Sequence, residues 1–315
     1  MFEPAYLKLA RTGELAERVR AAYERLHQCN LCANQCRVDR YATTQGAVCR
    51  TGVRAVVASF HPHFGEEAPL VGYGGSGTIF FTWCNLRCQY CQNYEISQLG
   101  AGTEVEPEAL AAMMLQLQAA GCHNINFVSP SHVIAPILAA TLIAAQAGLR
   151  VPLVYNTGGY DALTALQLLD GVIDIYMPDM KYSEATLAHK YSKVRDYPLV
   201  NRAAVKEMHR QVGDLQVDAR GIAQRGLLVR HLILPGDLAG TRDILRFIAE
   251  EISRHTYINL MTQYRPCYRA DTFPELNRRI TREEFARALQ WAEEFGLQRL
   301  DERPARGIPL VWLLE

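Results

Sequence analysis

Apolar residues along the chain gather in short continuous runs, separated by longer stretches in which they recur every three to four positions. Runs that are apolar on both faces read as strands covered on two sides. They fall at 78–82 (TIFFT), 125–128, 153–155, 173–176, 228–234 and 258–262. Helical patterning occupies 108–120, behind Pro107 at a favourable first-turn position, and then 136–147, 162–169, 205–212 and 244–254. Strands alternating with helices imply a parallel sheet with crossover connections. Six such units are too few for a closed eight-stranded barrel. The expectation is therefore an α/β fold, a partial open (β/α)6 barrel whose reactive ends are the strand C-termini. Residues 1–72 carry few long apolar runs and much Gly/Pro punctuation, ending in a hinge-like stretch from Gly72 to Gly77. The chain thus divides into a leader (1–72), a barrel (73–270) and a C-terminal helical cap (271–315). The cap comprises a charged helix at 281–295 and an apolar tail, GIPLVWLLE.

Composition changes this picture little. Of 315 residues, 49% are hydrophobic and 21% charged, and 33 basic groups cancel 33 acidic ones. No global field draws the chain to nucleic acid or to an anionic membrane. The start, MFEPAYLKLARTGEL, has no apolar core followed by a small-residue cleavage site, so no secretory signal is expected. The longest apolar stretch, 133–149, is interrupted by Pro136 and Gln146 and reads as a buried helix, not a membrane span. A cytoplasmic protein that binds neither nucleic acid nor membrane is the expectation.

Cysteine is where the sequence departs from the ordinary. There are nine, and in a reducing compartment clustered thiols serve as metal ligands or catalysts more often than as disulfides. Cys84, Cys88 and Cys91 form C-x3-C-x2-C directly after the first strand, with Tyr90 just before the last of them. Three thiolates on one loop can hold three corners of an iron–sulfur cubane, leaving the fourth iron open to a small molecule. The competing reading is a zinc site completed by His61, His63 or His123. A second group, Cys29-x2-Cys32-x3-Cys36 with Cys49, supplies four soft ligands, enough for tetrahedral zinc or an all-cysteine 4Fe–4S cluster. Either metal would staple a leader that lacks a large core, and so makes it a cysteine-rich metal-binding leader. Cys122 and Cys267 read as packing residues.

The C-x3-C-x2-C loop resembles that of the radical S-adenosylmethionine (SAM) superfamily, and within it the subfamily related to pyruvate formate-lyase activating enzymes. The likeness spans roughly residues 75–265. It implies a radical SAM barrel and an oxidoreductase in which SAM binds the open iron through its amino and carboxylate groups. One electron then cleaves the sulfonium to methionine and a 5′-deoxyadenosyl radical, which abstracts hydrogen from a substrate. The cofactor supplies this chemistry and the protein positions the substrate. Tyr155-Asn156-Thr157-Gly158-Gly159 looks like the family's polar turn beneath SAM, with Asn156 where Asp is usual. Met177-Pro178-Asp179-Met180-Lys181 resembles its Met-x-Asp-x-Lys segment. By that likeness Asn156, Thr157, Asp179 and Lys181 lie beside SAM, together with a monovalent cation. Arg230, opening an Arg-hydrophobic-Pro-Gly stretch, is expected to face the SAM carboxylate or the substrate, and Tyr90 joins the cofactor-binding set. The family's Gly-Gly-Glu is absent, and Ser129, Ser131 or backbone carbonyls there are expected to take over its hold on the SAM amino group. The resemblance further implies a reducing partner such as flavodoxin or ferredoxin and a protein or peptide substrate. The alternatives are a small-metabolite substrate or a non-catalytic iron–sulfur or zinc protein. Gln263, Tyr264 and Arg265, at the end of the last strand, are candidate substrate contacts.

Overall fold

The computed structural model describes residues 2–301. Its strands are β1 (Ala55–His63), β2 (Ser76–Phe81), β3 (Thr103–Val105), β4 (Ile125–Val128), β5 (Leu153–Thr157), β6 (Ile175–Pro178), β7 (Gln216–Val217), β8 (Ala223–Leu232) and β9 (Tyr257–Met261). The fold is α/β with a mixed sheet ordered β3-β1-β2-β4-β5-β6-β8-β7, with β9 also on β8. The six strands expected from the sequence are all present and pair in parallel, β2-β4-β5-β6-β8-β9. β5 and β6 are buried along their whole length, as continuous apolar runs between covering layers should be. The helices expected between the strands are found at Pro107–Ala119, Ile134–Gln146, Leu163–Leu169, Tyr197–Val212 and Thr241–Phe247. The last continues into a π-helical turn at Ile248–Ile252.

Three strands went unread in the sequence. β1 pairs antiparallel with β2, and β3 and β7 are short antiparallel partners of β1 and β8. Pro62 and the polar alternation of β1 read as loop. Because β3 covers only Ala55–Val57 of β1, Pro62 lies on an open edge, where a missing N–H costs no ladder bond.

Two helices, Tyr6–Thr12 and Glu14–Glu24, also precede the leader cysteines, with Gly13 at φ 83° between them. They bury Leu7, Leu9, Leu15 and Ala22 and pack against the helix Ile134–Gln146. Ten of that helix's 13 residues are buried, which accounts for its largely apolar sequence. Asp174 fastens the N-terminal chain to the sheet, accepting from Ala5 N at 2.9 Å and Leu153 N at 3.1 Å. Burial lifts its carboxyl to about 7 against these two hydrogen bonds. No helix among the described residues is long and apolar enough to cross a membrane.

The cap helix, Arg282–Glu294, starts at a capping box in which Thr281 and Glu284 each accept from the other's backbone N–H. The apolar tail that follows lies outside the described residues.

Candidate active site

The cysteine loop leaves the C-terminal end of β2 through Trp83, which sits at φ 68°, a left-handed conformation rare for a bulky residue. Ser129, beyond the end of β4, is held at φ 61°, with its N–H bonded to Asn156 O at 2.9 Å. Such strain persists only where the surroundings over-determine it, and it gathers at functional sites. Here both strained residues stand where strands end on one cavity.

That cavity has a volume of about 230 Å³ and is lined by Cys84, Cys88 and Cys91 together with Tyr90, Ser129, Asn156, Thr157, Asp179, Lys181 and Arg230. Residues from four parallel strand ends thus meet beside one cysteine loop. Ser131 is the exception: it turns inward, 2% exposed, with Oγ 3.0 Å from Thr157 Oγ1. Thr157 in turn donates to the buried Asp161 at 2.7 Å. The polar turn needs its glycine, since a Cβ on Gly159 (φ 74°) would stand 2.2 Å from Asp179 O.

The thiols are supported individually. Leu86 N donates to Cys84 Sγ at 3.4 Å, and Ser192 Oγ donates to Cys88 Sγ at 3.0 Å. Ser97 Oγ lies 3.0 Å from Cys91 Sγ. Ser192 also meets Tyr182, whose hydroxyl donates to Tyr90 at 2.7 Å, so Tyr90 is anchored behind the loop. Burial, followed by the charge of Cys88, pushes the Cys84 thiol up to about 12. Burial raises Cys88 as well, against Lys181 and Ser192. Metal binding must therefore displace protons.

Asp179 ties the cationic side together. It accepts from Lys181 Nζ at 2.6 Å and from Arg230 Nε at 2.9 Å, and Arg230 Nη2 reaches Asn156 Oδ1 at 2.7 Å. Burial would raise the Asp179 carboxyl, but Arg230 and Lys181 together hold it below its ordinary value. The reverse balance raises Lys181: burial opposes its charge, and Asp179 and Cys88 outweigh that. The charge on Asp179 is thus met by the chain's own two cations. Arg230 also stands 3.9 Å from Glu66 and 4.0 Å from Glu67, two buried carboxylates. These line a second cavity of about 580 Å³ that shares Asn156, Arg230, Met261 and Gln263 with the first. Tyr264 is buried, its hydroxyl on Leu276 O, and Arg265 is exposed away from both cavities.

The donor set fits an iron–sulfur cubane. Three thiols from one loop face a cavity, and neither Cys122 nor Cys267 lines it to supply a fourth. Among the described residues no three His, Cys, Asp or Glu side chains converge closely enough to hold a single metal ion, as a zinc site would require. The residues unread in the sequence are the supports, Ser97, Ser192, Tyr182 and Asp161. They lie outside any motif, and Ser192 reaches Cys88 from 104 positions away.

In the leader, Cys29, Cys32 and Cys49 are buried and Cys36 half-buried, and all four are free thiols. Burial, then the charge of Cys49, lifts Cys32 to about 12, with Cys29 and Cys36 adding to the effect.

A curated relative, the uncharacterized protein MJ0674 of Methanocaldococcus jannaschii, is 30% identical over 300 residues, spanning 92% of this chain and 82% of its own. Among solved structures, a radical SAM methyltransferase from Sphaerobacter thermophilus is similar at 13% identity and a TM-score of 0.48, over 71% of this chain and 67% of that one. TYW1 with a lysine-pyruvate adduct bound is similar at 12% identity and a TM-score of 0.44, over 69% and 73%. Residues 78–247, more than half of the chain and including the cysteine loop and the strand ends around it, match the radical SAM superfamily. The chain belongs to that superfamily.

Proposed function

We propose that Cys84, Cys88 and Cys91 hold a 4Fe–4S cluster with one open iron and that the chain is an enzyme acting on a polypeptide, in the manner of a glycyl-radical activase. Bound there, the cluster and SAM together supply one-electron cleavage of the sulfonium and a 5′-deoxyadenosyl radical. The observation that carries this reading is the meeting of the three thiols with Ser129, Asn156, Asp179, Lys181 and Arg230 around one cavity. Lys181, charged and beside Cys88, offsets the negative charge of a thiolate cluster. Arg230, fixed by Asp179 and Asn156, presents a planar donor suited to a carboxylate where the two cavities join. Ser129 offers a hydroxyl and a strained carbonyl in the position expected to hold the SAM amino group.

Substrate enters through the adjoining cavity, between the His63–Glu67 turn and the end of β9. Its greater volume and the exposed Phe64 at its rim favour a chain segment over a small metabolite. Seven of nine cysteines clustered as metal ligands suit a reducing compartment, which matches a cytoplasmic location.

The test is 5′-deoxyadenosine release by anaerobically reconstituted, dithionite-reduced protein, given SAM and a deuterated cell extract separated by size. Deuterium entering 5′-deoxyadenosine from the macromolecular fraction is the expected result. Transfer only from the small-molecule fraction moves the reading to a metabolite, and no release from cluster-loaded protein overturns it.

A further inference from the structure

The leader cysteines are not part of the catalytic cavity, yet they adjoin its cysteine loop. Asn34 Nδ2 donates to Asn85 O at 2.7 Å and lies 3.8 Å from Cys32 Sγ, so one amide side chain spans from a leader thiol to the backbone next to Cys84. On the other side, Arg87 donates to Val48 O, and the Arg50 guanidinium lies 5.2 Å from the Trp83 ring centroid. The residues flanking Cys49 therefore touch the residues flanking Cys84 and Cys88.

Within the leader, the four thiols are drawn together by the chain around them. Arg37 N donates to Cys29 O at 2.9 Å, and Val48 N donates to Cys36 Sγ at 3.5 Å. Arg40, 3% exposed, donates to Thr51 O at 2.8 Å and reaches Cys29 Sγ at 3.8 Å. Gln35, Arg37 and Arg50, each next to a cysteine of this set, hold positive φ of 44°, 60° and 49°. Their N–H groups bond to Cys32 O, Cys29 O and Ala47 O, closing the tight turns that set the cysteines in place.

A zinc ion with Zn–S bonds of ~2.3 Å would need sulfurs ~3.8 Å apart in a tetrahedron. No three metal-binding side chains among the described residues converge to hold one ion, in the leader or at Cys84, Cys88 and Cys91. The leader set is like the catalytic set in this respect. Four sulfurs on the corners of a cubane stand farther apart than four around one ion.

We propose that Cys29, Cys32, Cys36 and Cys49 hold an all-cysteine 4Fe–4S cluster through which electrons enter the catalytic cluster. With all four irons ligated by cysteine, no iron is left for SAM, so its chemistry is restricted to electron transfer. A reduced one-electron carrier protein loses one electron, and the leader cluster passes from the 2+ to the 1+ state. That electron moves on to the catalytic cluster, the leader cluster returns to 2+, and no bond or proton is involved. Exposed Arg37 and Arg50 beside Cys36 and Cys49 present a positive rim to an acidic carrier of the flavin or iron–sulfur class. This inference rests on the catalytic-cluster reading above, and the experiment separates the two.

Full-length wild type and the Cys84→Ala/Cys88→Ala/Cys91→Ala variant are reconstituted anaerobically, and iron, sulfide and zinc are counted per chain. Wild type should carry about eight irons and the triple variant about four, with no zinc and a reduced-cluster electron paramagnetic resonance (EPR) signal that SAM does not alter. One zinc and about four irons in wild type would overturn the leader cluster while leaving the catalytic one standing. Equal iron in the two proteins would instead overturn the catalytic ligand assignment. Asn34→Ala, with both clusters shown to be present, should slow reduction of the catalytic cluster by reduced flavodoxin by about tenfold or more, as expected for ~1.4 kcal/mol or more on the barrier. An unchanged rate would overturn the relay.

Discussion

The loop of Cys84, Cys88 and Cys91 and the loop of Cys29, Cys32, Cys36 and Cys49 are built from the same residue type and lie against each other, yet their surroundings differ. Cys84, Cys88 and Cys91 follow a regular strand and open onto a cavity lined by polar strand ends. Cys29, Cys32, Cys36 and Cys49 stand in irregular chain, with the buried Arg40 reaching Cys29 Sγ. On the reading developed above, ligand count explains the contrast. Three thiolates leave a metal valency that needs a shaped, charged cavity to be useful. Four thiolates satisfy the metal, which then needs only burial, N–H donors and compensating positive charge.

The largest effect that would break this contrast comes from the cationic side of the cavity. Asp179→Ala leaves Lys181 and Arg230 buried without their shared partner, and should cost about 3–5 kcal/mol of stability. Denaturant unfolding checks this, and a loss below about 1 kcal/mol would mean that solvent already screens the pair. A smaller effect is expected on the supports of the thiols. Ser192→Ala removes the hydroxyl that donates to Cys88 Sγ, at about 1 kcal/mol of stability. It should also make the catalytic cluster harder to reduce, because hydrogen bonds to cluster sulfur raise its potential. A potentiometric titration that finds the potential unmoved would remove Ser192 from the site.

The smallest effect is a slope with pH. Burial, followed by the charge of Glu67, lifts the Glu66 carboxyl from 4.5 to about 8. The native chain therefore keeps a proton that the unfolded chain releases between those values. The stabilisation is complete below about 4.5 and is lost as pH rises through about 8. Glu66→Gln should flatten this part of the profile, and a thermal-unfolding midpoint that falls with pH as steeply as in wild type would contradict it.

The parallel strands were legible because each is a short apolar run bounded by turn residues, and their C-termini carried the polar residues that converge on the cavity. Asn156 and Asp179 were readable because each follows such a run, whereas Arg230, inside the run 228–234, was readable only through the likeness of its Arg-hydrophobic-Pro-Gly stretch. β1 was not legible, since Pro62 signals a loop unless the open edge it occupies is known. The N-terminal helices were missed for a related reason. Their apolar residues are few, and their partner is the helix Ile134–Gln146, far along the chain. Ser131 shows the limit of motif reading: one serine of Ser129-Pro130-Ser131 lines the cavity while the other turns toward Thr157, a difference set by the left-handed backbone at Ser129.

The most direct measurement of the central claim is the EPR spectrum of the reduced, reconstituted protein with and without SAM, beside Cys84→Ala. An open iron at the catalytic cluster predicts a signal in wild type that changes on adding SAM and is lost in the variant. A wild-type spectrum indifferent to SAM, or a SAM-responsive signal that survives in Cys84→Ala, would contradict the account.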